Sequence, residues 1–372
     1  MGTLSEVRER LAPVVLPTLA EISGQIDSSE ELVRHRLSRI SRLRSTSLRV
    51  HSALTPRVDR LCKAALHALD IGLDEIDFYI FSDVNINGFC YLIGSPVSIG
   101  ISSGAVNNLS DEELVFVIGH EIGHAIFGDI SVALADDDSL ETARLSRYVE
   151  LTADRIGILA CQDVNPALKA MVKTVSGLED DELRFDFAHY SQELRSVQKI
   201  VSHSFDPSST HPPFSIRFRA ALAFSNIFTS TDWIPSRGRL DLPLIKKANT
   251  MVIRSLNESC DKFAAEKISS VISDVILWFS CTLNPESTAA LRKNIFEGAG
   301  VSLSDDDVKR AVNFLESYSG EERRDLLMKK IKDAIQAAKA IAPRQLSWTL
   351  TQVRVAYGDN QFFQIAIRHA LN

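Results

Sequence analysis

Between residues 76 and 161 the pattern of apolar and polar positions changes period once, from that of strands to that of helices. Ile76 to Phe81 is rich in β-branched and aromatic residues and predicts a strand, and Val97 to Ser102 alternates with period two and predicts another. Tyr91-Leu92-Ile93 is a third, shorter candidate, and Asn85-Ile86-Asn87-Gly88 between them has turn chemistry. Then Ser110-Asp111-Glu112-Glu113 reads as a capping box, followed by Leu114 to Ile118, which are apolar all round, so a buried helix is expected. Ser139 to Cys161 predicts a second helix, with Leu140, Leu145, Val149, Ile156 and Leu159 interleaved with charge. Ala167 to Leu178 and Asp181 to Ser202 read as further helices.

The flanks are helical in pattern. In residues 1–53, Leu32, Val33, Leu37, Ile40 and Leu43 fall at helical spacing among arginines, so an amphipathic segment is expected to pack its apolar face on the core. Residues 234–243 are rich in turn formers and predict a linker. Beyond it, candidate helices span 244–283, 286–298, 304–317, 320–341, 344–356 and 359–371. The expected domains are therefore 1–53, a core at 54–233, the linker at 234–243 and a C-terminal all-helical domain at 244–372. The fold class expected is α+β, mainly α, with a small sheet.

Two glycines, Gly119 and Gly123, interrupt the first helix one turn apart. Each weakens an isolated helix by about 1 kcal/mol, so their use is to admit another backbone or a substrate. Between and beside them, Gly119-His120-Glu121-Ile122-Gly123-His124 carries the chemistry. Residues four apart share a helix face, so His120 and His124 can offer both imidazoles to one ion. Glu121 then sits beside the ion without ligating it, where a base must be to take a proton from water. Glu150 and Asp154 are also four apart. Two like charges so placed repel, and a cation offsets that. Three protein ligands, His120, His124 and Glu150, leave the open position of a catalytic rather than a structural zinc site. Asp154 is then expected to accept a ligand histidine's free N–H. The acidic loop from Asp129 to Asp138 lacks the spacing of a calcium loop and reads as solvated.

These segments resemble the M48 family of zinc metallopeptidases, soluble and membrane-bound gluzincins that include CAAX prenyl protease-like and HtpX-like enzymes. The resemblance rests on His120-Glu121-Ile122-Gly123-His124, Glu150-Leu151-Thr152-Ala153-Asp154, Ser209-Thr210-His211-Pro212-Pro213 with Arg217, and Asn87-Gly88-Phe89 ahead of Ile99 to Gly104. It covers roughly residues 55–225, and it departs from the family at Gly88, where Ala is usual. It implies a zincin-like core and endopeptidase action on protein or peptide substrates, with one catalytic Zn²⁺ and Glu121 as general base. His211 is implied close to the metal as a donor to the oxyanion, and Arg217 as a partner of Glu150 or Asp154. The segment Ile99-Gly100-Ile101 is implied as a substrate-binding edge strand.

Composition narrows the setting. Of 372 residues, 45% are hydrophobic and 24% charged, ordinary for a globular chain. The net charge of -7 argues against a general nucleic-acid binder. Five cysteines without a C-x-x-C pair suit buried thiols in a reducing compartment, and no secretory or membrane-spanning stretch is apparent, so a cytoplasmic protein is expected. The C-terminal helices are a candidate surface for a protein partner. The alternative function is a regulated or non-catalytic binding protein, its metal a structural pin or its cleft occluded by a helical segment.

Overall fold

The protein is seen in a computed structural model that describes residues 1–16, 38, 40–92, 96–127, 139–186, 189–190, 192–194, 206–230, 242–256, 262–281, 305–357 and 365–367. Within them the chain is mostly helical, with one four-stranded sheet. It divides into two units: Met1–Asp136 with Leu145–Ser259, and Asp137–Arg144 with Cys260–Asn372.

The first unit is built on strands β1 (Leu48–Arg49), β2 (Ile76–Phe81), β3 (Gly88–Tyr91) and β4 (Val97–Ser102), in the order β1-β2-β4-β3. β2 and β4 run parallel, Ile76 opposite Val97 through Phe81 opposite Ser102, and β3 returns antiparallel with Gly88 opposite Ile101. This corrects the expectation for Ile99, Gly100 and Ile101. Their strand is interior, paired on both sides, and Ile99 and Ile101 are fully buried, so the segment has no free backbone to offer a substrate. Among the described residues the strand at the end of the sheet next to β4 is β3, β1 being at the other end. It begins at Gly88, earlier than the candidate at Tyr91-Leu92-Ile93, whose last residue lies outside the described set.

Helices α1 (Leu4–Leu11), α2 (Pro56–Ala68), α3 (Ser103–Asn108), α4 (Asp111–Ile126), α5 (Leu140–Cys161), α6 (Val164–Ser176), α7 (Phe214–Ser230) and α8 (Leu242–Leu256) follow in order; the first residues of α5, through Arg144, are counted with the second unit. The capping box forms at the start of α4: Glu113 N donates to Ser110 Oγ, and Ser110 N donates to Glu113 Oε2. That same carboxylate accepts from Lys173 Nζ of α6 at 2.8 Å, with both side chains buried. Leu114, Ile118 and Ile122 are fully buried, each contributing about 1.5–3 kcal/mol of apolar burial. α4 is therefore a rigid core element and not a surface helix.

The two interrupting glycines of α4 face α5. A Cβ on Gly119 would lie 2.4 Å from Ala160 Cβ, and one on Gly123 would lie 2.8 Å from Ala153 Cα. The close approach they were expected to permit is thus to another backbone. We expect Gly119→Ala to lower unfolding free energy by about 1–3 kcal/mol, since the Ala160 methyl cannot swing aside and overpacking outweighs the gain of about 1 kcal/mol in helix propensity. Urea denaturation of the metal-free protein measures it.

Other expectations shift. The helix expected over 181–202 is a turn followed by irregular chain at 181–186, because α6 ends at Gly177 with φ 68° and Asp180 turns back to Lys173; helical residues appear at 189–190 and 192–194. In the N-terminal segment Leu32, Val33 and Leu37 lie outside the described residues, whereas 40–46 are helical with Ile40 and Leu43 buried. Residues 1–16 are part of the first unit, Gly2 bridging to Ile71 and Arg155 donating to Val14 O. The acidic loop 129–138, the stretch 234–241 of the expected linker and the helix at 286–298 are also outside the described residues. Where one helix was expected at 244–283, α8 and α9 (Lys262–Ser280) are separate elements. α8 belongs to the first unit, with Ile245, Ala248, Val252 and Leu256 buried and Asn249 accepting from Arg155.

The second unit packs α9 against α10 (Asp305–Glu316), α11 (Gly320–Ile341) and α12 (Pro343–Tyr357). Ile272, Ile276, Phe279, Ile331, Ile335 and Leu346 form the centre of its core. Among the described residues, no helix is long and apolar enough to cross a membrane.

Candidate metal centre

The i, i+4 spacing on α4 brings His120 and His124 together with their Nε2 atoms 3.2 Å apart. Glu150 of α5 meets both: its Oε2 lies 3.6 Å from His120 Nε2 and its Oε1 3.5 Å from His124 Nε2. One ligand atom from each of the three lies within 4.8 Å of the others. These separations suit a single small cation, because ligands bonded at about 2.0–2.1 Å in a tetrahedron stand roughly 3.3 Å apart. The donor set of two imidazoles and a carboxylate is likewise that of catalytic zinc.

Asp154 prepares the first ligand. Its Oδ1 accepts from His120 Nδ1 at 2.9 Å, which directs His120 Nε2 at the cluster; in the neutral ring that nitrogen carries the lone pair a metal needs. Arg217 clamps the same carboxylate with two bonds, Nε to Oδ2 at 2.9 Å and Nη2 to Oδ1 at 2.6 Å. Its Nη1 stands 3.9 Å from Glu150, so of the two partners expected for Arg217, Asp154 is the one held by hydrogen bonds. Burial works against charge on Asp154, but Arg217's charge and the bonds from His120 and Arg217 prevail and hold the carboxyl well below the usual range. Glu150 is also lowered: burial opposes this, and the charges of His124, His120 and Arg217 outweigh it. Burial pushes His124 down to about 4, so its imidazole is neutral near pH 7, as a ligand must be. Asp154→Asn is expected to weaken zinc affinity about 10–100-fold while removing no ligand, as competitive zinc titration can measure.

Glu121 projects from α4 beside this cluster and is 6% exposed. Burial raises its carboxyl to about 7. β3 runs past it so closely that a Cβ on Gly88 would lie 2.5 Å from Glu121 Oε1, so the departure from the usual Ala leaves room for that carboxylate. A cleft of about 480 Å³ opens here, lined by β3 residues Phe89, Cys90 and Tyr91 as well as His120, Glu121 and Glu150.

His211 reaches the rim, with Nε2 3.6 Å from Glu150 Oε1 and a side chain 66% exposed. His203, which could compete with it, lies outside the described residues. Two features escaped the sequence reading. One is the place of β3 in the cleft wall. The other is Arg147, which is fully buried and donates from Nη1 to Pro207 O at 3.1 Å and Ser209 O at 2.5 Å. Its position three residues before Glu150, hence on the same face of α5, is the signal that could have found it. Arg155 points elsewhere, to Val14 O and Asn249 Oδ1.

No curated protein and no solved structure gives a significant match to the chain. The model of peptidase family M48 matches residues 52–145 and 129–224. The matched region carries both histidines, Glu121, Glu150, Asp154, His211 and Arg217, so the part of the chain that builds the metal cluster is the part that belongs to peptidase family M48, a family of metallopeptidases.

Proposed function

We propose that this protein is a zinc-dependent endopeptidase with a zincin-like core, acting on protein or peptide substrates. The observation that supports it most is the convergence of His120, His124 and Glu150 at tetrahedral ligand spacing beside the buried carboxyl of Glu121. A bound Zn²⁺ supplies the positive charge that lowers the pKa of water towards ~7 and polarises a carbonyl. Glu121 takes the proton from the attacking water and hands it to the leaving amine. His211, exposed at the rim, donates to the oxyanion as it develops. β3, at the end of the sheet and in the cleft wall, is the strand that an extended substrate joins by backbone hydrogen bonds, in place of Ile99-Gly100-Ile101. Pairing along a strand favours internal bonds over chain ends.

The reading as a non-catalytic binding protein is weaker, because a structural pin has no use for a base at position 121. Within the proposal, the helical second unit serves a protein partner and the protein works in the cytoplasm, which the unpaired Cys62, Cys90, Cys161 and Cys281 support. The test is cleavage of unfolded casein by full-length protein carrying one zinc per chain. Activity should vanish on chelation and return when Zn²⁺ is restored. Fully loaded protein that leaves casein intact overturns the proposal.

A further inference from the structure

On α5, Arg147, Glu150, Asp154 and Gly157 follow one another at intervals of three or four residues and so share one face. Gly157 seats α5 against Phe116 of α4, Asp154 orients His120, and Glu150 completes the ligand cluster. Arg147, at the leading end, reaches instead into the loop that carries His211.

We propose that Arg147 is a positioning residue for His211: its guanidinium ties the loop 206–213 to the metal-bearing helix and thereby fixes where the His211 imidazole stands relative to Glu150. The inference rests on the peptidase reading for the role of His211, but the anchoring itself stands on geometry. Arg147 is fully buried, and Nη1 donates to two carbonyls of the loop, Pro207 O and Ser209 O. Within the loop, Ser208 N and Oγ donate to Asp206 Oδ1, Ser209 Oγ donates to His211 O, and Thr210 Oγ1 lies 3.2 Å from His211 Nδ1. Pro212 and Pro213 stiffen its exit into α7. The loop is thus an ordered unit, and the imidazole follows its backbone. Because the His211 side chain is 66% exposed, packing does not hold it in place. What holds it at 3.6 Å from Glu150 is the loop, through its backbone and Thr210 Oγ1, and that backbone is bonded to α5 three residues before Glu150.

The test uses full-length, zinc-loaded protein with Arg147→Met, which removes the donors and keeps an apolar stem, and Arg147→Lys, which keeps the charge and a smaller donor head. His211→Gln and its combinations with both Arg147 variants complete the set. Zinc content and far-UV circular dichroism establish that each protein is folded, and if Arg147→Met does not fold, Arg147→Lys carries the test. The expected result is faster amide exchange at residues 208–211 with unchanged exchange in α4, one zinc per chain, a kcat lower by about 10- to 100-fold and a KM within about threefold of wild type. Lysine should restore part of what methionine loses. In the combined variants, kcat should fall no further than in His211→Gln alone, since both changes remove the same contribution. Unchanged exchange in the loop, or a kcat loss that adds in full to that of His211→Gln, overturns the proposal. Should wild-type protein cleave nothing, the peptidase reading fails, while the exchange measurement still decides whether Arg147 anchors the loop.

Discussion

Glu121→Gln protein is expected to hold one zinc per chain and to cleave casein about 10²- to 10⁴-fold more slowly than wild type, with KM little changed. The substitution keeps the shape of the side chain, which matters because Glu121 is 6% exposed and β3 passes at Gly88 with no space to spare. What it removes is the ability to accept a proton. The atoms placed to hold a metal are those of His120, His124 and Glu150, so metal binding should be unaffected. A loss confined to kcat identifies a group that acts in the transition state and not in substrate binding. Equal activity in both proteins would remove Glu121 from the role of base.

Glu150→Ala should do more: zinc affinity falls by at least about 10²-fold, and cleavage drops below detection with the ion. The carboxylate faces both imidazoles at 3.5–3.6 Å and is the one member of the cluster that brings negative charge to a dication. Its loss leaves two neutral ligands and an Arg217 whose charge repels a cation. Wild-type protein should gain thermal stability on adding zinc, by about 4 kcal/mol when free zinc exceeds Kd a thousandfold. Glu150→Ala should lose that response. A variant that kept one tightly held ion and normal cleavage would show that Glu150 is not a ligand.

The two predictions separate because the site is assembled from two kinds of information. The i, i+4 pairs on α4 and α5 were legible residue by residue. Helical periodicity alone puts His120 with His124 and Glu150 with Asp154, and the Ser110–Glu113 cap announces where α4 begins. Matched motifs supplied the expectation that the two helices meet. They could not say how, because the meeting depends on which backbone Gly119 and Gly123 admit, and that is settled by Ala153, Gly157 and Ala160, thirty or more residues away in sequence.

The sheet shows the same division. The alternation at Val97–Ser102 correctly marks a strand, but period two states only that successive side chains point to opposite faces. It carries no information on how many neighbours the strand has, and β4 turned out to have two while β3 took the end position in the cleft wall. In the same way, apolar spacing marked one helix over 244–283 without saying that it is two elements or that the first of them buries its face in the first unit. By itself, then, the sequence determined which residues lie on which face of each helix and strand, and with that the ligand pairs, because those relations are set by bond geometry within a few residues. Only the tertiary structure decided which strand lines the cleft, that Asp154 is the hydrogen-bonded partner of Arg217, and that Arg147 holds the loop of His211. Those relations depend on contacts between distant segments, whose energies no local pattern records.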